Sequence, residues 1–163
     1  MGAAELAAEP RLLPIRIGAG ALGCGLPTAD VLVSPQHRVM VSSRIAEKMF
    51  GEREVLVAAK QLLQIRGVDI ADDVDHVEYF HFLFDRHQIV FAEGAAMESL
   101  FTGTEALKAV SAEARREIFE ILPQLNDLTP ENLPEPVRPI IAGRIARKMA
   151  SRHLQNSVPL LQV

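Results

Sequence analysis

The chain has 163 residues, 48% hydrophobic and 23% charged, with a net charge of −4 at pH 7. That is the size of one domain and the composition of a folded globular protein rather than a disordered one. The mild acidity argues against a chain-wide nucleic-acid surface, no apolar run reaches the ~20 residues of a membrane helix, and the single cysteine, Cys24, excludes an internal disulfide and a cysteine-based zinc cluster.

Residues 1–11 read as a tail, Ala-rich with Glu5 and Glu9. They lack the basic start and apolar stretch of a signal peptide, so the cytoplasm is the default location. From Leu12 to Ser99 the signals are short strands separated by turns. Leu13, Ile15 and Ile17 alternate onto one face. Residues 18–28 hold four glycines and Pro27, which predicts a loop. Val31-Leu32-Val33 and Arg38-Val39-Met40-Val41 read as two strands, with a turn or bulge at Pro35 between them. Residues 44–50 predict a short helix ended by Gly51. A strand over 54–57 and a short helix over 58–63 follow.

Residues 69–75 form a polar loop with four aspartates, without the ligand order of a calcium loop. Residues 76–84 read as the strongest strand, with Val77, Tyr79 and Leu83 on one face and Phe80, Phe82 and Phe84 on the other. Two apolar faces predict a position in the middle of a sheet. A turn at Asp85-Arg86-His87 would send residues 88–91 back as the partner strand, ended by Glu93-Gly94.

The last third changes character. Ser111 is a good N-cap for a helix over 112–122, with Ile118, Ile121 and Leu122 along one stripe and Pro123 as its limit. Residues 129–139 hold four prolines and read as an extended linker. A second helix is predicted from Pro139 to about His153, with Ile141, Ile145 and Met149 on one side. From Val137 onward the chain carries Arg138, Arg144, Arg147, Lys148 and Arg152 and no acid. No aromatic residue interleaves with these cations, so they read as the solvated face of a helix docked on the acidic body, not as a nucleic-acid site. The expected organisation is a tail over 1–11, a β-rich domain over 12–101, and a helical extension over 102–163 that packs on it.

The chemistry begins at Ser34, three residues before His37 and between two apolar strands. An acyl shift converts a peptide bond into a thioester or ester. The amide nitrogen leaves poorly unless it receives a proton, and histidine can supply one near neutral pH. A nearby hydroxyl can hold the peptide or the imidazole. The spacing alone is also met by a histidine packed at a turn beside a capping serine. His76, His81 and His87 with Asp85 suggest a metal site, but the turn expected at Asp85 breaks their alignment, and no metal or cofactor is expected.

The stretch Val31-Leu32-Val33-Ser34-Pro35-Gln36-His37-Arg38-Val39-Met40-Val41 resembles the Thr-x-x-His block shared by inteins and Hedgehog autoprocessing domains. The form is that of the bacterial Hint subfamily, in which Ser-Pro replaces the start of the block. Val55-Leu56-Val57-Ala58-Ala59-Lys60-Gln61-Leu62-Leu63 resembles the next element of that subfamily. His81-Phe82-Leu83-Phe84-Asp85-Arg86-His87-Gln88-Ile89-Val90-Phe91-Ala92-Glu93-Gly94 resembles its most distinctive stretch, with Met97-Glu98-Ser99 behind. Upstream, Pro14-Ile15-Arg16-Ile17 and the glycine loop after it also fit. The resemblance covers roughly residues 12–101.

It implies a mainly β architecture, a flattened Hint disc, here incomplete and followed by C-terminal α-helices. It also implies intramolecular self-cleavage by an N-to-S or N-to-O acyl shift. Ser34 and His37 match the Thr and His of the shared block. Asp85 and His87 stand where the last hairpin returns and are the next catalytic candidates. Nothing before Leu13 matches the Cys-initiated opening block of such domains, and Cys24 stands in the glycine loop. Met97-Glu98-Ser99 occupies the place of the His-Asn pair that ends a splicing intein. The expectation is an N-terminally truncated domain that no longer cleaves itself, because the attacking group is missing. Its partner would be its own upstream polypeptide in any full-length form, with no nucleic acid and no membrane involved. Exposed strand edges would be covered by the C-terminal helices or by pairing of two copies. Two other classes compete: a non-catalytic β-rich module that binds or stabilises a partner, and a metal-dependent hydrolase built on the histidines.

Overall fold

A computed structural model describes residue 2 and residues 8–103, 107, 111–129 and 131–163. Residues 1 and 3–7 of the expected tail, and Pro130 of the expected linker, lie outside the described residues. Among the described residues, one antiparallel sheet contains β1 (Ile15–Ile17), β2 (Val31–Val33) and β5 (Val68–Ile70), with β1 in the middle. A second contains β3 (Arg38–Ser42), β4 (Glu54–Ala58), β6 (Ile89–Ala92), β7 (Ala95–Glu98) and β8 (Ile140–Ile141), in the order β6-β7-β3-β4-β8. Its pairings are antiparallel except β4 with β8, which is parallel. Among the described residues three α-helices accompany them: α1 (Arg44–Phe50), α2 (Ala112–Ile121) and α3 (Gly143–Gln155). The protein is therefore a β-rich body followed by helices, as the sequence pattern predicts.

Local signals explain most elements. In β3, Val39 and Val41 alternate into the core. In β4, Val55, Leu56 and Val57 are all fully buried, as suits a strand paired on both edges. The Ser43 hydroxyl accepts from the Ala46 amide and caps α1, and Ser111 caps α2 by accepting from Ala114. Gly51 ends α1 at φ 76°, a left-handed conformation that suits glycine. Glu93 and Gly94, at φ 48° and 78°, turn β6 back onto β7.

The main core joins both sheets to the end of the chain. Ile15, Ile17, Val39, Val41, Val55, Val57 and Met97 pack with Ala146, Met149 and Ala150 of α3 and with Leu160 and Leu161 beyond it. The terminal segment is also tied through its backbone. Ser42 donates to the Leu160 carbonyl at 3.0 Å, Gln162 to Ser42 at 2.8 Å, and Leu161 to Leu22 at 2.8 Å. Gly23 lies under this segment, and a Cβ there would collide with the Pro159 ring. A separate small cluster of Leu107, Ile118, Leu122 and Leu125 holds α2 against Leu83 and Leu100.

Four sequence expectations differ from the structure, the first being the aspartate loop expected over 69–75, of which Asp69 and Ile70 pair with β1 as part of β5. Residues 77–84 form no strand, and Phe80, Phe82 and Phe84 are exposed at 74%, 65% and 43%. The edges of β3 are occupied by β4 and β7, so the aromatic run finds no central place in a ladder. β-propensity reports fit to a sheet surface and does not create the neighbouring strands. The partner of β6 is accordingly β7 and not residues 76–84. In α2, Ile118 and Leu122 are buried while Ile121 is exposed. The second helix begins at Gly143, because Ile140 and Ile141 pair with Leu56 and Val57 as β8. Its buried side is Ala146, Met149, Ala150 and His153, with Ile145 in solvent.

Candidate functional site

Ser34 to His37 forms a tight turn that feeds directly into β3. The His37 amide donates to the Ser34 carbonyl at 3.0 Å, and Pro35 occupies the second position, which its fixed φ favours. The turn is clamped from the far end of β4: Ala59 donates to the His37 carbonyl at 2.9 Å, and Lys60 to the Pro35 carbonyl at 3.1 Å. Ser34 and His37 are both half-buried.

The next residue, Arg38, opens a polar cluster across β3 and β7. Glu98, only 6% exposed at the end of β7, accepts the Arg38 backbone amide at 3.0 Å on Oε1. The Arg38 guanidinium donates to both carboxylate oxygens, at 3.2 and 2.9 Å. His87 Nε2 completes the set at 3.1 Å from Glu98 Oε2. Nδ1 of the same ring accepts the Val137 backbone amide at 3.1 Å. An accepting Nδ1 places the ring proton on Nε2, which therefore donates to Glu98. Phe101 lies against the imidazole, with ring centroids 4.8 Å apart.

Electrostatics follow from this packing. Burial disfavours the Glu98 charge, but the His87 hydrogen bond and the Arg38 charge outweigh it, so the carboxyl stays below its ordinary value. For His37, burial pushes the imidazole below its ordinary value. The Glu98 charge opposes that fall, while His81 and Arg38 add to it. Burial thus favours the neutral form of the His37 imidazole, and the Glu98 carboxylate favours its charged form.

A model of the Hint domain family matches residues 1–104. The chain belongs to the Hint domain family. No match was found among curated proteins or solved structures. In this Hint domain His87 hydrogen-bonds the Glu98 carboxylate, and His37 sits in the Ser34 turn, one residue before Arg38, which binds the same carboxylate. Asp85, expected beside them, is exposed on a bend and takes no part in the cluster. His76 and His81 are exposed as well, and no three His, Cys, Asp or Glu side chains among the described residues are placed to hold a metal ion. Cys24 is exposed in the glycine loop at φ 54°, its thiol 3.5 Å from the Leu161 carbonyl.

Sequence reasoning passed over Glu98 and His153. The signal for Glu98 was a lone acid closing the otherwise apolar strand Ala95-Ala96-Met97. His153 is 1% exposed, and its Nε2 lies 3.0 Å from the Ser43 hydroxyl. Because that hydroxyl oxygen accepts from Ala46, its proton points to His153 Nε2. Nδ1–H then donates to the carbonyls of Pro159 at 3.0 Å and Val158 at 3.3 Å. Ser43 is 0% exposed, so this pair is no accessible nucleophile. It pins α1, α3 and the C-terminal segment together.

That pin carries a pH signature. Burial lowers the His153 pKa, with the Val158 and Pro159 carbonyls opposing, and the His37 shift has the same direction. A depressed folded value means that the unfolded chain binds the proton more tightly. The stabilisation is therefore complete above the unfolded value of about 6.5 and declines as pH falls through it, by at most about 1.4 kcal/mol per pH unit per histidine. Thermal melts at pH 8 and pH 5.5 should show a lower Tm at the acid value. The difference should shrink in His153→Gln, and an equal difference in that variant would exclude His153 as a source.

Proposed function

We infer that this Hint domain is built for an intramolecular acyl shift in which His37 moves the proton. The observation that carries this reading is the His37 imidazole, held on a clamped turn one residue before Arg38, with the Glu98 carboxylate that Arg38 and His87 fix acting on it through its charge. An attacking thiol or hydroxyl gives its proton to His37 while a C–S or C–O bond forms at the scissile carbonyl. His37 then passes the proton to the amide nitrogen as the C–N bond breaks. Glu98 stabilises the transient imidazolium by its charge, and the Ser34 hydroxyl is available to orient the scissile peptide. Asp85 has no role in this scheme.

The attacking group belongs on the residue just after the scissile carbonyl. Met1 and Gly2 carry none. A reporter protein joined directly ahead of Met1 should therefore remain intact on a denaturing gel, with or without added thiol. Thiol-dependent release lost in both Cys24→Ala and His37→Ala would instead assign the attack to Cys24. A second arm adds any in-frame residues encoded before Met1. Cleavage there should fall about 10²–10⁴-fold in His37→Ala, the usual contribution of a positioned acid–base group. Cleavage insensitive to His37→Ala would remove its role. No cleavage in that arm, even with hydroxylamine to trap an ester or thioester, would favour the non-catalytic binding module.

A further inference from the structure

The segment that follows the matched Hint region closes the candidate site from outside. Val137 lies beyond residue 104, where the family match ends, yet its amide is the hydrogen-bond donor to Nδ1 of His87. The donor is held in place by three neighbouring contacts. Arg138 Nε donates to Glu54 Oε2 at 2.6 Å, and its Nη1 to the Val137 carbonyl at 2.8 Å. Leu56 donates to the Pro139 carbonyl at 2.9 Å, and β8 then runs parallel to β4. The strap is therefore registered to the same strand whose far end clamps the His37 turn.

We propose that this strap is a positioning element of the acyl-shift site, in which the Val137 amide occupies Nδ1 of His87 and keeps the ring proton on Nε2, where it donates to Glu98. The consequence lies at Glu98. The Nε2–H donor orients Glu98 Oε2, the carboxylate whose charge favours a protonated His37. The groups facing the ring are Glu98 on β7, Phe101 against it and Val137 on the strap, with Arg38 bonded to the same carboxylate oxygen. Because the donor is backbone, the side chain at position 137 is immaterial to the effect, and proline is the one substitution that removes it. This role rests on the acyl-shift reading, whereas the hydrogen bond itself does not.

The test is a two-bond ¹H–¹⁵N correlation spectrum of the histidine side chains in the uniformly labelled full chain near pH 7, with His87→Gln to assign the signals. Wild type and Val137→Ala should both show His87 with an unprotonated Nδ1 and a protonated Nε2. In Val137→Pro, which lacks the donor, the ring proton should be shared between the two nitrogens, so the Nδ1 signal of His87 moves toward the protonated position and the Nε2 signal away from it. Arg138→Ala, which loosens the strap without removing the donor, should shift it in the same direction by less. A wild-type spectrum with the proton on Nδ1 would overturn the proposal whether or not Val137→Pro folds. So would a folded Val137→Pro protein with unchanged His87 signals. Either result leaves the His37 cleavage assay untouched, and a silent cleavage assay leaves this spectrum readable.

Discussion

Ending the chain after Leu122 is expected to leave a protein that does not fold cooperatively. The cut removes Ala146, Met149, Ala150, Leu160 and Leu161, all members of the core that joins the two sheets. Truncating a single buried Leu or Met to Ala costs about 2–5 kcal/mol. Losing Met149, Leu160 and Leu161 together therefore consumes the whole of a typical domain stability of about 5–15 kcal/mol. Polar losses add to this. Ser43 loses His153, Leu56 loses the Pro139 carbonyl, and β4 loses its β8 neighbour, which exposes a strand edge rich in valine and leucine. Circular dichroism melts and gel filtration of residues 1–122 should show aggregation or a melt without a sharp transition. A soluble monomer with the Tm of the full chain would contradict the assignment of α3 to the core.

Replacing Glu98 by leucine should have the next largest effect. Glu98 accepts from the Arg38 amide, the Arg38 guanidinium and His87 Nε2. Leucine removes all these acceptors and leaves a largely covered cation with no counter-charge. Breaking a buried pair from one side costs about 3–5 kcal/mol. At about 2–4 °C per kcal/mol for a chain of this size, Tm should fall by roughly 6–20 °C. Glu98→Gln keeps the volume and one acceptor and should lose clearly less. If Glu98→Leu melted like wild type, the cluster would contribute nothing to the fold and Glu98 could not be the fixed carboxylate of the proposed site.

The sequence by itself determined the features whose causes lie within a few residues. The Ser34–His37 turn, the alternation of β3, Gly51 at the end of α1, the Ser111 cap and the Glu93–Gly94 reversal are each written in a short window, because turn geometry, capping and side-chain period are local. The ordered motifs also carried the Hint resemblance, and with it Ser34 and His37. Only the tertiary structure decided the rest. Residues 76–84 have the composition of a central strand, but neighbouring strands form the ladder, and β3 had already been paired on both sides. Glu98 was one acid among many until the fold set it against Arg38, 60 residues away, and His87. His153 found Ser43 across 110 residues, and Val137 reached His87 across 50. The amino-acid code names which groups can donate, accept or carry charge, and closure of the chain around a shared core determines which of them are buried together and must satisfy one another.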